Sequence, residues 1–341
     1  MFGTGSRKMF IVAVALMCGV ISTPGARAAE SDTLPLPAFG AMAVDQAHKR
    51  VFVSGGAASN GIVVLDFSGH SVRTLNGQFG ATGLVLSEDG RTLYAALAAG
   101  DAISAIDTGT LAESRRFPTG AQTCPAHLAR TGALVWFGYG CDATWHGRIG
   151  RLDPTAAEPI VLDKGNVEFQ TAPLLASAGG TLVATQLELS LADAHVFTVS
   201  AGELVAGPAG EVFGSNVLDL TLSPDGATLH SAAGSRDRVD AFASTDLARR
   251  GVYVTGPHPN AVRASADGRF VAVGAYTSRD RAVWVFAAGA ASPVNAFGLD
   301  GDVLANRGLA WSGDGRFLFA ITQGAADARP RFTVINRPTQ D

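Results

Sequence analysis

The chain has 341 residues, of which 47% are hydrophobic and 16% charged, and its formal net charge is −4. Lysine occurs only at positions 8, 49 and 164, so there is no basic run to track a phosphate backbone, and nucleic-acid binding is excluded as a function class.

Residues 1–28 read as a secretory signal peptide. Arg7-Lys8 precede an apolar run from Met9 to Ile21 that is too short to span a bilayer, and Ala26-Arg27-Ala28 forms an A-x-A cleavage signal. Cys18 raises a lipoprotein alternative, but Met17 stands where a small residue is required. Cleavage after Ala28 removes Arg7, Lys8 and Arg27 and no acid, which takes the formal charge from −4 to −7. The mature chain, 29–341, has no later apolar stretch long enough to cross a membrane. The expected location is secreted, extracellular or in the cell envelope.

From residue 43 onward one phrase repeats. Its clearest copy is Leu220-Thr221-Leu222-Ser223-Pro224-Asp225-Gly226-Ala227-Thr228-Leu229, and others centre on Asp89-Gly90, Asp267-Gly268 and Asp314-Gly315. Alternating apolar residues flank a turn in which Asp-Gly supplies a positive φ, the pattern of a β-hairpin. Weaker copies centre on His48, Gly132 and Gly180, so the turn anchors fall at 48, 90, 132, 180, 226, 268 and 315. A period in the forties built from short strands specifies a propeller with about four strands per blade. Seven anchors predict an all-β, seven-bladed β-propeller, with its blades in one ring and one domain despite the chain length.

A third strand follows each turn, as at Ile62–Asp66, Ile103–Asp107, Ile149–Asp153, Val239–Phe242, Val283–Phe286 and Thr333–Asn336. The acid that ends several of them, Asp66, Asp107 or Asp153, is expected to close the strand by local hydrogen bonds. A polar outer strand such as Ala112–Phe117 suits an exposed edge. The last repeat ends without a fourth strand. Residues 33–37, which contain Leu34-Pro35-Leu36-Pro37, are expected to supply it, since proline tolerates an edge position. The alternative is a frayed leader and a three-stranded last blade.

Cys124 precedes the first strand of the third repeat, and Cys141 follows the second. Those points lie at one end of an antiparallel hairpin, so the thiols can meet, and export favours their oxidation. Two cysteines alone fall short of a structural zinc site, and C-x-x-C spacing is absent.

In a propeller the loops before each first strand and after each second strand share the face around the channel mouth. Candidate binding residues on that face are His127, Tyr139, Asp142, Trp145 and His146 from repeat three, and Gln186, Glu188, Asp193 and His195 from repeat four. Repeats five to seven add Asn216, Arg236, His258, Asn260, Asn306 and Arg307. Aromatic area with polar tips suits recognition. The alternative is that Tyr139 and Trp145 cover a blade end while the histidines are solvated. No catalytic residues are assigned: G-x-S-x-G and H-E-x-x-H are both absent. No cofactor is expected. A divalent cation on Glu188, Asp193 and His195 is geometrically open, because a ring converges side chains on its axis.

Ile106-Asp107-Thr108-Gly109-Thr110-Leu111 followed by Phe117-Pro118-Thr119-Gly120, together with the Ser-Pro-Asp-Gly turn, resembles the YVTN-type bacterial β-propeller repeat. The fourth repeat departs from it, lacking the Asp-Gly turn and the acid after Val196–Ser200. The resemblance implies a secreted or surface propeller near the lactonase-like propellers, and it specifies fold far more than activity. The function expected is a monomeric, non-enzymatic binding propeller for a protein or small-molecule ligand. The alternatives are a lactonase-like hydrolase with a metal or His/carboxylate site at the axis, and a module of a larger envelope assembly.

Overall fold

The computed structural model describes residues 1, 3, 32–279, 281–324 and 327–340. The leader expected over 1–28 lies outside the described residues apart from Met1 and Gly3. The described chain forms seven four-stranded antiparallel sheets. Blades one to six span 42–76, 81–118, 127–169, 174–210, 217–254 and 259–297. Blade seven joins Val303–Trp311, Phe317–Gln323 and Pro330–Asn336 to the N-terminal strand Asp32–Thr33. First strands of successive blades contact one another around the axis.

The burial of each strand follows from its place in the blade. Second and third strands lie between two neighbouring sheets and are buried almost throughout, as in Arg50–Ser54 and Gly61–Asp66. Their Val, Ile and Phe content suits a pleated surface covered on both faces. Fourth strands are mostly exposed, and some keep one buried residue, Leu75 in Ser71–Asn76 and Phe117 in Ala112–Pro118. Apolar packing therefore forms seven clusters, one in each gap between blades, rather than a single core.

The repeated turns show why the phrase uses Ser, Asp and Gly. In Ser87–Thr92 the Gly90 amide donates to Ser87 O at 3.0 Å, Ser87 Oγ donates to Asp89 Oδ1 at 2.7 Å, and the Arg91 amide donates to the same oxygen at 3.0 Å. The Thr92 amide then donates to Ser87 Oγ at 2.9 Å. The same bonds recur at Ser223/Asp225, Ser265/Asp267 and Ser312/Asp314. Only the glycine has positive φ, between 69° and 74° at these four turns. Each is thus a turn closed by a left-handed glycine, rather than a two-residue turn with both residues at positive φ. The strand-ending acids act as expected, with Thr110 N–H donating to Asp107 Oδ1 at 2.7 Å and Ser68 N–H to Asp66 Oδ1 at 2.8 Å.

Ring closure differs in detail from the expectation. Asp32 and Thr33 pair with Phe332 and Arg331, and the Leu34 amide donates to Pro330 O at 2.8 Å. Pairing stops at Pro35, which has no N–H to donate. Leu34 and Leu36 instead turn inward, buried with Val51, Val63, Phe319 and Phe332 between blades seven and one. Four rings interlock there: Phe67–Phe319 at 4.9 Å, Phe319–Phe332 at 5.5 Å, and Phe317 at 5.6 Å from Phe67.

Two expected outcomes follow from these contacts. Leu34→Ala and Leu36→Ala each lower unfolding free energy by about 2–5 kcal/mol in denaturant titrations, as core truncations do; a loss below about 0.5 kcal/mol means the N-terminal segment is not part of the ring. Local hydrogen bonds hold the carboxyls of the turn aspartates below their ordinary value, most strongly at Asp267, where Ser265 and Arg269 lower it to about 2. A carboxyl depressed by folding stabilises the native state above its unfolded value of about 3.9, and that contribution is lost as pH falls through the folded value. Acid unfolding measured by circular dichroism is therefore expected between about pH 4 and 2, and Asp267→Asn flattens that limb.

Candidate functional site

Hydrogen bonds between loops define the channel-mouth face. Gly140 N–H donates to Thr123 O, Gly234 N–H to Asn216 O and Tyr276 N–H to His258 O, at 2.7, 2.7 and 2.9 Å. Each joins a loop after a second strand to the loop before a first strand, so both loop sets meet on one rim.

On blade three the rim is pinned covalently. Cys124 and Cys141 form a disulfide with their Cα atoms 5.0 Å apart. Asp101 holds the approach to it, accepting from the amides of Gln122, Thr123 and Cys124 at 2.8, 3.0 and 2.9 Å. Burial acts to raise the Asp101 carboxyl, but these amides outweigh it and the group lies below its ordinary value. Next to the disulfide is a cleft of about 520 Å³ bordered by Tyr139, Asp142, His146, Arg148 and Asp163. Tyr139 is buried and donates to Asp163 Oδ1 at 2.7 Å, and burial followed by that bond pushes its hydroxyl up. It anchors the cleft rather than presenting an aromatic face. Trp145 does present one, at 53% exposure, on a backbone with φ of 65°.

His127 does not join this group. It points into the channel, where Arg307 Nη1 donates to its Nδ1 at 2.9 Å. Blades seven and three lie on opposite sides of the ring, so this contact is a strut across the channel. Arg307 reaches the axis from an irregularity in Val303–Trp311, where pairing slips between Leu304 and Leu309. Its φ is 63°, and a Cβ on the adjoining Gly308 would stand 2.7 Å from the carbonyl oxygens of Ala305 and Ile321. His127 keeps partial solvent contact along the channel but is walled by protein, and burial and then Arg307 push its imidazole well below the ordinary value.

Two residues missed in the sequence complete the axis. Asp219 is buried and pairs with Arg263 Nη1, while its oxygens accept from the amides of Leu220 at 2.9 Å and Val262 at 2.8 Å. Burial pushes its carboxyl up, and Arg263 and the Val262 amide pull it back. The available signal was a charged side chain within a first strand, Val217–Leu222 for Asp219 and Pro259–Ala264 for Arg263.

The remaining candidates separate. Asn260 is a strand residue, fully buried, whose Nδ2 donates to Leu304 O at 2.8 Å and reaches Asn306 Oδ1 at 3.3 Å. His195 also lies in a strand, Ala194–Ser200, packed edge-on against Phe169 at 5.5 Å, rather than in the loop expected. Gln186 fastens blade four to the chain before it, accepting from Gln170 N–H at 2.6 Å and donating to Thr171 Oγ1 at 2.7 Å. His258 Nδ1 lies 3.0 Å from Gly234 O. Glu188, Asp193 and Asn216 are exposed and Arg236 half-buried. Among the described residues Glu188, Asp193 and His195 do not gather as metal donors; the group that does gather, Asp101 with Cys124 and Cys141, has both sulfurs in the disulfide.

Exposed apolar side chains are distributed unevenly. Phe79, Trp145, Leu191 and Tyr276, all 45–56% exposed, lie in rim loops of blades one, three, four and six. The other large ones, apart from Met1, are valines 72, 205, 254 and 294 of outer strands. Among the described residues none lies in a turn of the opposite face. Phe79, Leu191 and Tyr276 were missed because each is a single apolar residue in a short loop.

No protein-family model matches the sequence, and no curated protein sequence matches it. The YVTN-type resemblance therefore rests on its repeat phrases. Solved structures do match. A chain in a crystal structure of a mitotic checkpoint complex superposes with a TM-score of 0.71 at 13% identity, over 98% of this chain and 100% of that one. The propeller domain of Cps50 (Swd1) from Myceliophteria thermophila gives 0.64 at 15% identity, over 89% and 98%. Hydrazine synthase from Kuenenia stuttgartiensis gives 0.64 at 15% identity, over 91% and 98%. At such identities the likeness establishes the propeller fold alone. Among the described residues no helix is long and apolar enough to cross a membrane.

Removing the disulfide in a Cys124→Ser/Cys141→Ser variant is expected to lower stability by about 3 kcal/mol for a loop of this size. It should also speed amide exchange around Trp145 while blades five to seven stay protected, as read by hydrogen exchange.

Proposed function

We propose that the protein is an exported, non-enzymatic propeller that docks a protein partner on its channel-mouth rim. One observation carries the reading: the exposed aromatic side chains Phe79, Trp145 and Tyr276 all stand on that rim, while the turn face has none among the described residues. Aromatic anchors supply large contact area at low entropic cost and dominate interface energetics. The disulfide and the Asp101 bonds pre-order the Trp145 loop, which reduces the cost of binding. Export is inferred from the leader pattern at 1–28 together with the disulfide. The neighbour in the mitotic checkpoint complex belongs to an assembly, which supports the reading by analogy of fold only. No observation favours the lactonase-like alternative: the carboxylate at the axis, Asp219, is committed to Arg263 and two backbone amides.

The test is photo-crosslinking in cells of the source species. A crosslinker at position 145 or 276 is expected to capture a discrete protein that one at position 91 or 316, on the turn face, does not. A Phe79→Ser/Trp145→Ser/Tyr276→Ser variant should lose at least tenfold in affinity for that protein while its thermal midpoint stays unchanged. Equal capture from both faces, or capture indifferent to the triple change, contradicts the reading.

A further inference from the structure

Between blades five and six lies a cavity of about 350 Å³ that neither the rim nor the axis uses. It opens among the turns, bordered there by Asp225, Gly268 and Gly289. Its volume falls at the lower end of the range for small-molecule pockets, about 300–1,000 Å³. Deeper in, it is bordered by His230 of Thr228–Ala233 and Tyr253 of Arg249–Val254, whose rings stand 5.7 Å apart.

His230 is only 3% exposed, and its Nδ1 has no hydrogen-bond partner among the described residues. The corresponding position, four residues after the turn anchor, holds Phe52, Tyr94, Trp136 and Phe319 in four other repeats. Phe52 and Phe319 need no polar partner there, whereas a buried imidazole nitrogen without one costs free energy. Burial pushes the His230 ring down to about 4, with the Thr221 backbone opposing, so the ring is neutral near pH 7. The Thr221 carbonyl, across the ladder from His230, favours the ring proton on Nε2 and leaves Nδ1 as an acceptor.

Tyr253 supplies the complement. Its hydroxyl accepts from Gly289 N–H at 3.0 Å, and its own proton has no acceptor among the described residues. The charges at the mouth are already offset: Arg250 pairs with Asp246 at 2.9 Å, and Asp225 accepts from Ser223 Oγ and the Ala227 amide. The inner walls, Ala241, Val252, Ala264 and Val271, bring no polar side-chain group. The interior therefore presents one free acceptor and one free donor between apolar walls, and a single hydroxyl group satisfies both.

We propose that this cavity binds a small uncharged phenol, its hydroxyl donating to His230 Nδ1 and accepting from the Tyr253 hydroxyl, its ring against Ala241 and Val271. A carboxylate offers only acceptors and would leave Nδ1 unpaired. A sugar would carry several hydroxyls against walls that pair with none of them. A planar ring also extends the aromatic contact in which Tyr253 stands 5.0 Å from Phe286.

The test is a titration of the purified protein, labelled with ¹⁵N at histidine, with phenol, toluene, cyclohexanol, benzoate and glucose as probes. The His230 ring nitrogens are identified by their loss in His230→Phe. Phenol is expected to move the His230 Nδ1 resonance saturably, at one site per chain, while the other six histidines stay in place. Toluene, benzoate and glucose should bind at least tenfold more weakly, since each leaves a buried polar group unpaired. Cyclohexanol should bind about threefold more weakly, having the hydroxyl without the aromatic face. Tyr253→Phe should weaken phenol about tenfold and Trp145→Ser should leave it unchanged. If His230→Phe or Tyr253→Phe fails to fold, the probe series on the unaltered protein decides alone, the saturable histidine shift being counted without assignment. No saturable shift, which is the outcome if ordered water alone meets Nδ1, overturns the proposal. So does binding of toluene, cyclohexanol, benzoate or glucose as tightly as phenol, or a folded Tyr253→Phe protein that binds phenol normally. A failed rim crosslink would leave this result standing, and the reverse also holds.

Discussion

The ring depends on one seam. Six blades are continuous stretches of chain, but the seventh needs Asp32–Thr33 beside Pro330–Asn336. Without that pairing, blade seven would present an open sheet edge next to blade one. The seam is also where aromatic packing is dense, with Phe67, Phe317, Phe319 and Phe332 in mutual contact and Leu34 and Leu36 filling the gap. Hydrogen bonds set the register there, and the apolar contacts supply most of the free energy. The rim loops and the axial side chains can converge only because the ring is closed.

Given a closed ring, each region has a distinct physical character. On the turn face, four of the seven blades carry Ser-x-Asp-Gly turns whose side chains bond their own backbones, so the polar atoms of those turns are already committed. The rim loops instead leave aromatic area exposed, and on blade three they are stiffened by a disulfide and an acid that collects three amides. The axis concentrates charge where the walls of the ring limit its contact with bulk water. Asp219 with Arg263, and Arg307 with His127, are the consequence.

Much of the fold was legible in the chain because its causes are local. A turn anchor every forty-odd residues and period-two alternation specify hairpins, and the third strands and the Cys124–Cys141 pair follow from hairpin geometry. The candidate site was legible only in part, because its causes are not local. His127 and Arg307 are 180 residues apart, and the spacing that placed each near a first strand did not show that they meet. His195 and Asn260 were assigned to loops because strands begin a residue or two earlier than the apolar pattern suggests, Ala194 and Pro259 being the actual starts. Asp219 and Arg263 passed as ordinary strand polar residues, since period two separates the faces of a sheet but not the channel from the gap between blades. The N-terminal closure was anticipated in kind but displaced, because Pro35 and Pro37 cannot continue a ladder that Leu34 ends.

Hydrogen exchange at single-residue resolution addresses the closed ring most directly. The account predicts that the amides of Leu34 and of the central residues of Pro330–Asn336 exchange as slowly as those in the inner strands of blades two to six. Fast exchange at Leu34 and along blade seven, with the other six blades protected, would contradict it and leave the ring open at its seam.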